Sequence, residues 1–154
     1  MITNKKDFFP SDFVPTICDE YSSEYNISNT HIILQFYDTT NEHDQLNPFL
    51  YENIDIFIIC FSLISPSSLE SVQSTFIPEI KNICPNKLYI LVGTKSDLRD
   101  DFSQNEEKFR SKGLSPILRE EGEKVKKQIQ AHDYIECSSL KNKNIKMVFE
   151  LAAN

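Results

Sequence analysis

The sequence predicts an α/β fold built on a doubly wound sheet, and three observations predict it. Two continuous apolar runs, Ile56 to Phe61 and Leu88 to Val92, have the length and unbroken hydrophobicity of strands covered on both faces. Around them, apolar residues recur at spacings of three and four, as on one side of a helix. Strand and helix patterns then alternate along the chain, which is the order of a parallel sheet wrapped by its own crossovers. The chain has 154 residues, 40% of them apolar. That suffices for one domain with a real core, since domains of this size bury about 70% of their unfolded surface. A second domain has no room, so residues 1–154 are read as a single unit.

Residues Tyr21 to Tyr37 alternate apolar and polar around Ser28-Asn29 and predict a β-hairpin, with Tyr25-Asn26-Ile27 before the turn and Ile32-Ile33-Leu34-Gln35-Phe36 after it. The run Ile56 to Phe61 is the next strand. Ser67 or Ser68 can cap a helix that carries Leu69, Val72, Phe76 and Ile80 on one side. Pro78 should bend that helix near Phe76 or end it early, because proline lacks an N–H and crowds the preceding turn. After the strand Leu88 to Val92, residues Asn105 to Lys112 predict a short polar helix closed by Gly113. Pro116 to Ile129 predicts a helix with Val125 and Ile129 as a narrow apolar stripe and Glu121 opposite Lys124. Tyr134-Ile135-Glu136-Cys137 is a last strand, shorter and nearer an edge, and Asn144 to Ala152 a final helix with Ile145, Val148, Phe149 and Ala152 inward.

Charge excludes one class of partner. With 16 basic and 23 acidic residues the net charge is -7, and the bases are interleaved with acids, so there is no basic stripe for nucleic acid. The densest basic group, Lys124, Lys126 and Lys127, reads as a solvated helix face. Cys18, Cys60, Cys84 and Cys137 are widely spaced without a metal-ligand pattern and read as reduced, mostly buried thiols. No apolar secretory core is present, and no run approaches the ~18 apolar residues of a membrane helix, so a cytoplasmic location is expected. His31, His43 and His132 are scattered, with no Ser or Cys nucleophile arranged beside them.

The chemistry concentrates in two loops. Gly93-Thr94-Lys95-Ser96-Asp97-Leu98 closes one apolar strand, and Glu136-Cys137-Ser138-Ser139-Leu140 closes the last one. A Lys and an Asp after a strand also suit a plain solvated turn. Further segments stand in a definite order around them: Phe9-Pro10, Val14-Pro15-Thr16, Tyr37-Asp38-Thr39, Asp55 to Pro66, Cys84-Pro85-Asn86, Leu98-Arg99-Asp100-Asp101 and Leu114-Ser115-Pro116-Ile117. Together, over roughly residues 8 to 152, they resemble a Rho/Rac-family small GTPase of the Ras superfamily. The stretch from about 99 to 116 is similar to the helical insert of Rho proteins.

That resemblance implies a P-loop-NTPase-like fold and a signalling protein that binds GTP or GDP with Mg2+. Thr94, Lys95, Asp97 and Leu98 would form the base-reading turn, the two oxygens of Asp97 accepting the ring N–H and exocyclic amine of guanine, a match adenine lacks. The Lys95 stem would lie along the base. Ser138, Ser139 and Leu140 would form the second base loop, with the N–H groups of Ser138 and Ser139 offered to the guanine oxygen. Phe9 would pack edge-on against the base, although a Phe beside Phe8 also suits simple core. The Thr16 hydroxyl and, through water, Asp38 would reach the magnesium ion. Val14 to Tyr21, with the acids Asp12, Asp19 and Glu20, resembles the surface that meets Rho-type effectors or exchange factors, and equally suits an exposed loop leading into a strand.

The departures from the family pattern matter as much. No Gly-x-x-x-x-Gly-Lys-Ser/Thr loop occurs, and of the three glycines, Gly93, Gly113 and Gly122, none sits in such a phosphate cradle. By the resemblance, Met1 falls after the family's first strand and phosphate loop. The sheet is therefore expected to lack that strand, which leaves Ile32–Phe36 and Ile56–Phe61 each with an unpaired edge unless they close on each other. Asp38-Thr39-Thr40-Asn41-Glu42 stands where the family reads Asp-Thr-Ala-Gly-Gln, so Asn41 lies near the Gly position and the water-orienting Gln is removed or displaced. A Glu42 carboxylate would be repelled by a γ-phosphate. The expectation is weak guanine-nucleotide binding, impaired hydrolysis and no catalytic residue. The alternatives are a non-enzymatic pseudo-GTPase interaction module, or a non-functional fragment or incomplete gene model. The chain as given stops at Ala152-Ala153-Asn154 without a basic tail or prenylation box, so no lipid anchor is expected.

Overall fold

Alternating polarity makes the hairpin, over a longer span than Tyr21 to Tyr37: in the computed structural model, which describes residues 18–27, 30–39, 51 and 53–153, β1 (Cys18–Ile27) pairs antiparallel with β2 (Thr30–Thr39). Its turn, Ser28-Asn29, lies outside the described residues. The pairing puts Tyr25 opposite Ile32 and Glu24 opposite Ile33, so Tyr25, Ile32, Leu34 and Phe36 share one face while Glu24, His31 and Ile33 share the other. The second face is open, with Ile33 60% exposed and His31 beside the Glu24 carboxylate at 3.3 Å.

The remaining elements follow as β3 (Ile56–Ser62), α1 (Pro66–Ser71), a π turn (Val72–Phe76), α2 (Ile77–Ile83), β4 (Leu88–Thr94), α3 (Ser96–Asp100), a 3-10 turn (Phe102–Gln104), α4 (Glu106–Arg110), α5 (Arg119–Ile129), β5 (Tyr134–Glu136) and α6 (Ile145–Ala152). The strands β3, β4 and β5 form a parallel sheet in that order, with Ile58 beside Ile90 and Leu91 beside Tyr134. Period two splits β3 and β4 between two apolar layers. Phe57, Ile59, Phe61, Tyr89 and Leu91 meet Leu69, Val72, Ile77, Ile80, Val125 and Ile129 on one side. Ile56, Ile58, Ile90 and Val92 meet Ile145, Val148 and Phe149 of α6, together with Tyr25, Leu34 and Phe36 of the hairpin, on the other. Helices on both faces make the fold the doubly wound α/β type.

Among the described residues no ladder joins β2 to β3, so the two strands do not close on each other. The hairpin instead reaches the rest of the fold through side chains: the Phe36 ring meets Phe149 edge-on at 4.8 Å, and Tyr25 lies 6.3 Å from the same ring.

Three local expectations are corrected. Neither Ser67 nor Ser68 caps the first helix. Ser65 is its N-cap residue and Pro66 opens it, where a missing N–H is harmless. The Ser68 hydroxyl instead accepts the Ser62 N–H at 2.9 Å and donates to the Ser65 carbonyl at 2.7 Å, tying the helix to the end of β3. Pro78 does not end the helix: the Ile77 N–H reaches back five residues to Val72, and this π turn absorbs the ladder defect before α2 continues. Third, α5 begins at Arg119 and not at Pro116: Leu118 is still extended, φ -75° and ψ 156°, and is the N-cap residue. The chain ahead of it runs extended, with the Ser115 and Ile117 N–H groups on the carbonyls of Ile64 and Leu63. Glu121 then turns back to accept the Leu118 N–H at 2.8 Å and serves the helix start instead of standing against Lys124. Cys60, Cys84 and Cys137 are free, Cys84 and Cys137 buried and Cys60 exposed.

Candidate functional site

The C-terminal ends of β4 and β5 bring the two chemistry-bearing loops together. Lys95 takes the left-handed conformation, φ 61° and ψ 40°, which turns the chain sharply from β4 into α3 and leaves the Lys95 side chain exposed. Thr94 faces backward: its hydroxyl donates to the Phe61 carbonyl at 2.8 Å and its own carbonyl accepts the Leu63 N–H at 2.9 Å. Leu98 is half-buried in α3. The turn is stitched to the second loop by the Ser96 N–H on the Cys137 carbonyl at 3.0 Å and the Cys137 N–H on the Gly93 carbonyl at 2.8 Å.

Between the loops sits a buried carboxylate. Asp97 is 4% exposed and Ser138 not at all, and the Ser138 hydroxyl donates to Asp97 Oδ1 at 2.5 Å. The same hydroxyl accepts the Lys141 N–H at 3.0 Å, so Ser138 is fixed from its own loop as well. Its backbone is engaged too: the Ser138 N–H donates to the Lys143 carbonyl at 3.0 Å, and the Lys143 N–H returns the bond at 2.9 Å. The Ser138 N–H, expected to be offered to a base oxygen, is engaged inside its own loop in this structure. The Ser138 side chain, not its main chain, is what faces Asp97. Ser139 is half-buried and Leu140 is 57% exposed at the rim of the corner.

Sequence reasoning passed over a second link between the same loops. Arg99 holds Glu136 with both arms of its guanidinium, Nη1 to Oε1 at 2.9 Å and Nη2 to Oε2 at 2.6 Å, and Nη1 also donates to the Ile117 carbonyl at 3.1 Å. The Tyr134 hydroxyl adds a third bond, to Glu136 Oε1 at 2.8 Å. Burial opposes ionisation of Glu136, but the bonds from Arg99 and Tyr134 outweigh it and hold the carboxyl below the usual glutamate range. The one available signal was Glu136 itself, an acid in an otherwise apolar strand, where an ion needs a partner.

The other named residues are not gathered here. Phe9 and Thr16 lie outside the described residues, as does most of Val14 to Tyr21, whose last four residues begin β1. Asp38 stands exposed near the end of β2. Among the described residues, no three His, Cys, Asp or Glu side chains converge to hold a metal. The Thr40 to Leu46 segment is likewise outside the described residues.

A strand-end turn with a buried aspartate, facing a serine loop from the next strand, sits at the carboxyl edge of this parallel sheet, where doubly wound folds bind ligands. The family model described as Ras family matches residues 1–154, the full length of the chain. The chain belongs to the Ras family. Ras-family small GTPases generally bind GTP or GDP with Mg2+ and act through effectors and exchange factors. In the Asp97 corner the carboxylate is buried with Oδ1 held by the Ser138 hydroxyl, and a carboxylate has capacity to accept further N–H donors. No helix among the described residues of this Ras-family chain is long and apolar enough to cross a membrane.

Proposed function

We propose that this Ras-family chain is a Rho/Rac-like signalling domain that reads guanine through Asp97 but binds the nucleotide weakly and hydrolyses it poorly. The observation that carries the reading is the buried Asp97 carboxylate, fixed by the Ser138 hydroxyl between two loops that backbone bonds hold together. The Rho-like character is supported by the segment from Phe102 to Gly113, which forms a small helical excursion between α3 and α5 with Phe102 stacked on Phe109 at 5.4 Å. Weak binding is argued from chemistry. The sequence holds no Gly-x-x-x-x-Gly-Lys-Ser/Thr, and each charge-assisted phosphate contact forgone is worth ~1.5–3 kcal/mol. Poor hydrolysis is argued from Asn41 and Glu42, which stand where a γ-phosphate contact and a water-orienting Gln would be needed. Phe9, Thr16 and Asp38 are proposed as further nucleotide and magnesium contacts, and Val14 to Tyr21 as the partner-facing segment.

A second reading, a non-enzymatic pseudo-GTPase module, is favoured by the same missing phosphate loop. One comparison separates the two: equilibrium dialysis of GDP and of ADP at millimolar concentration with magnesium, on the parent and on Asp97→Asn. The first reading expects GDP retained over ADP by the parent and the preference lost in the variant. Equal, negligible retention of both nucleotides by the parent would leave the interaction module.

A further inference from the structure

The Asp97–Ser138 bond spans 41 residues of sequence, and the Arg99–Glu136 fork spans 37. Each partner of the fork lies two residues from a partner of the first bond: Arg99 follows Asp97 in α3, and Glu136 precedes Ser138 at the end of β5. The two links form parallel rungs between the same pair of loops. The outer rung is the more rigid, because a bidentate guanidinium–carboxylate pair fixes direction as well as distance.

Its anchorage extends beyond the two loops. The Arg99 side chain also holds the Ile117 carbonyl, and the Glu136 carbonyl accepts Asn144 Nδ2 at 2.8 Å at the start of α6. The Tyr134 hydroxyl on Glu136 sits where α5 carries Gly122, at which any Cβ would come within 2.3 Å of that hydroxyl. Arg119 lies over the Tyr134 ring at 5.7 Å. Tyr134 and Glu136 are buried and Arg99 half-buried, whereas Lys95 and Leu140 are exposed.

Resting on the proposed reading of Asp97, we infer that Arg99 and Glu136 are positioning residues for base discrimination: their fork sets the angle between the two loops and so aims the Asp97 carboxylate. Neither residue is assigned to touch the nucleotide. A fork that merely stabilised the fold would change the affinity of every ligand alike. A fork that aims Asp97 governs the two contacts that depend on aim, those to the ring N–H and to the exocyclic amine, of which hypoxanthine offers only the first.

The test measures GDP and inosine diphosphate affinities by equilibrium dialysis for the parent, Arg99→Lys and Glu136→Gln, with thermal melting alongside to identify folded variants. Arg99→Lys keeps the charge and loses the fork, and Glu136→Gln keeps the shape and loses the ion pair. The expected result is a GDP preference in the parent that falls roughly tenfold or more in each folded variant, because GDP binding falls further than inosine diphosphate binding. If Arg99→Lys does not fold, Glu136→Gln alone decides. A GDP preference in the parent that survives in the folded variants overturns the positioning role and leaves the Asp97 reading intact. Absence of any GDP preference in the parent overturns the Asp97 reading, and this inference with it.

Discussion

Glu136 is the residue on which the corner's electrostatics turn. Its carboxyl is held below the ordinary glutamate value of about 4.3 by the Arg99 fork and the Tyr134 hydroxyl, against the cost of burial. The folded-state pKa is lower than the unfolded one, so its stabilisation is fully present above the unfolded value and is lost as pH falls through the folded one. Acid titration of the melting temperature should therefore steepen below about pH 4.3, and Glu136→Gln should flatten that part of the curve. An unchanged acid limb in the variant would show that the fork adds no ionic stabilisation. Asp97 and Ser138 were legible in the sequence because each closes an apolar strand in a recognisable tetrapeptide. The fork was not, because its partners are 37 residues apart and only the parallel register of β4 beside β5, Gly93 against Glu136, brings them together. The antiparallel bridge from Ser138 to Lys143, which engages the Ser138 N–H, likewise leaves no mark on composition or spacing.

At the scale of elements, the parallel strands and the amphipathic helices were read from periodicity, and their ends were decided by contacts that periodicity does not record. The π turn ahead of Pro78 is a local backbone solution to a missing N–H and a steric clash, and the extended run ahead of α5 is held by the carbonyls of Leu63 and Ile64. Gly122 is an element-scale case with a measurable consequence. In an exposed helix Gly→Ala is worth about 1 kcal/mol in favour of Ala. Here an added Cβ would fall 2.3 Å from the Tyr134 hydroxyl, and α5 cannot approach β5 as closely. Gly122→Ala is expected to destabilise by roughly 1–3 kcal/mol, seen as a lower melting temperature. An increase in melting temperature would show that propensity outweighs packing at this crossing. Gly113, with φ +69° and open space around it, closes the excursion after α4 as the sequence suggested.

At the scale of the whole molecule, two sheets that share no ladder among the described residues are joined through one apolar layer, with Phe149 of α6 against Phe36 and Tyr25 of the hairpin. A two-stranded hairpin is marginal by itself, so its order depends on that layer. The alternation of strand and helix foretold the doubly wound arrangement. The Asp97–Ser138 corner, proposed to read guanine, lies wholly in the parallel part, on β4, α3, β5 and the loop before α6. The most direct test is therefore thermal melting of the purified chain with magnesium and millimolar GDP or ADP, because a ligand that binds only the native state raises stability by RT ln(1 + [L]/Kd). The account predicts one cooperative transition that moves upward with GDP and not with ADP. A cooperative transition indifferent to GDP, or shifted equally by both nucleotides, would contradict it.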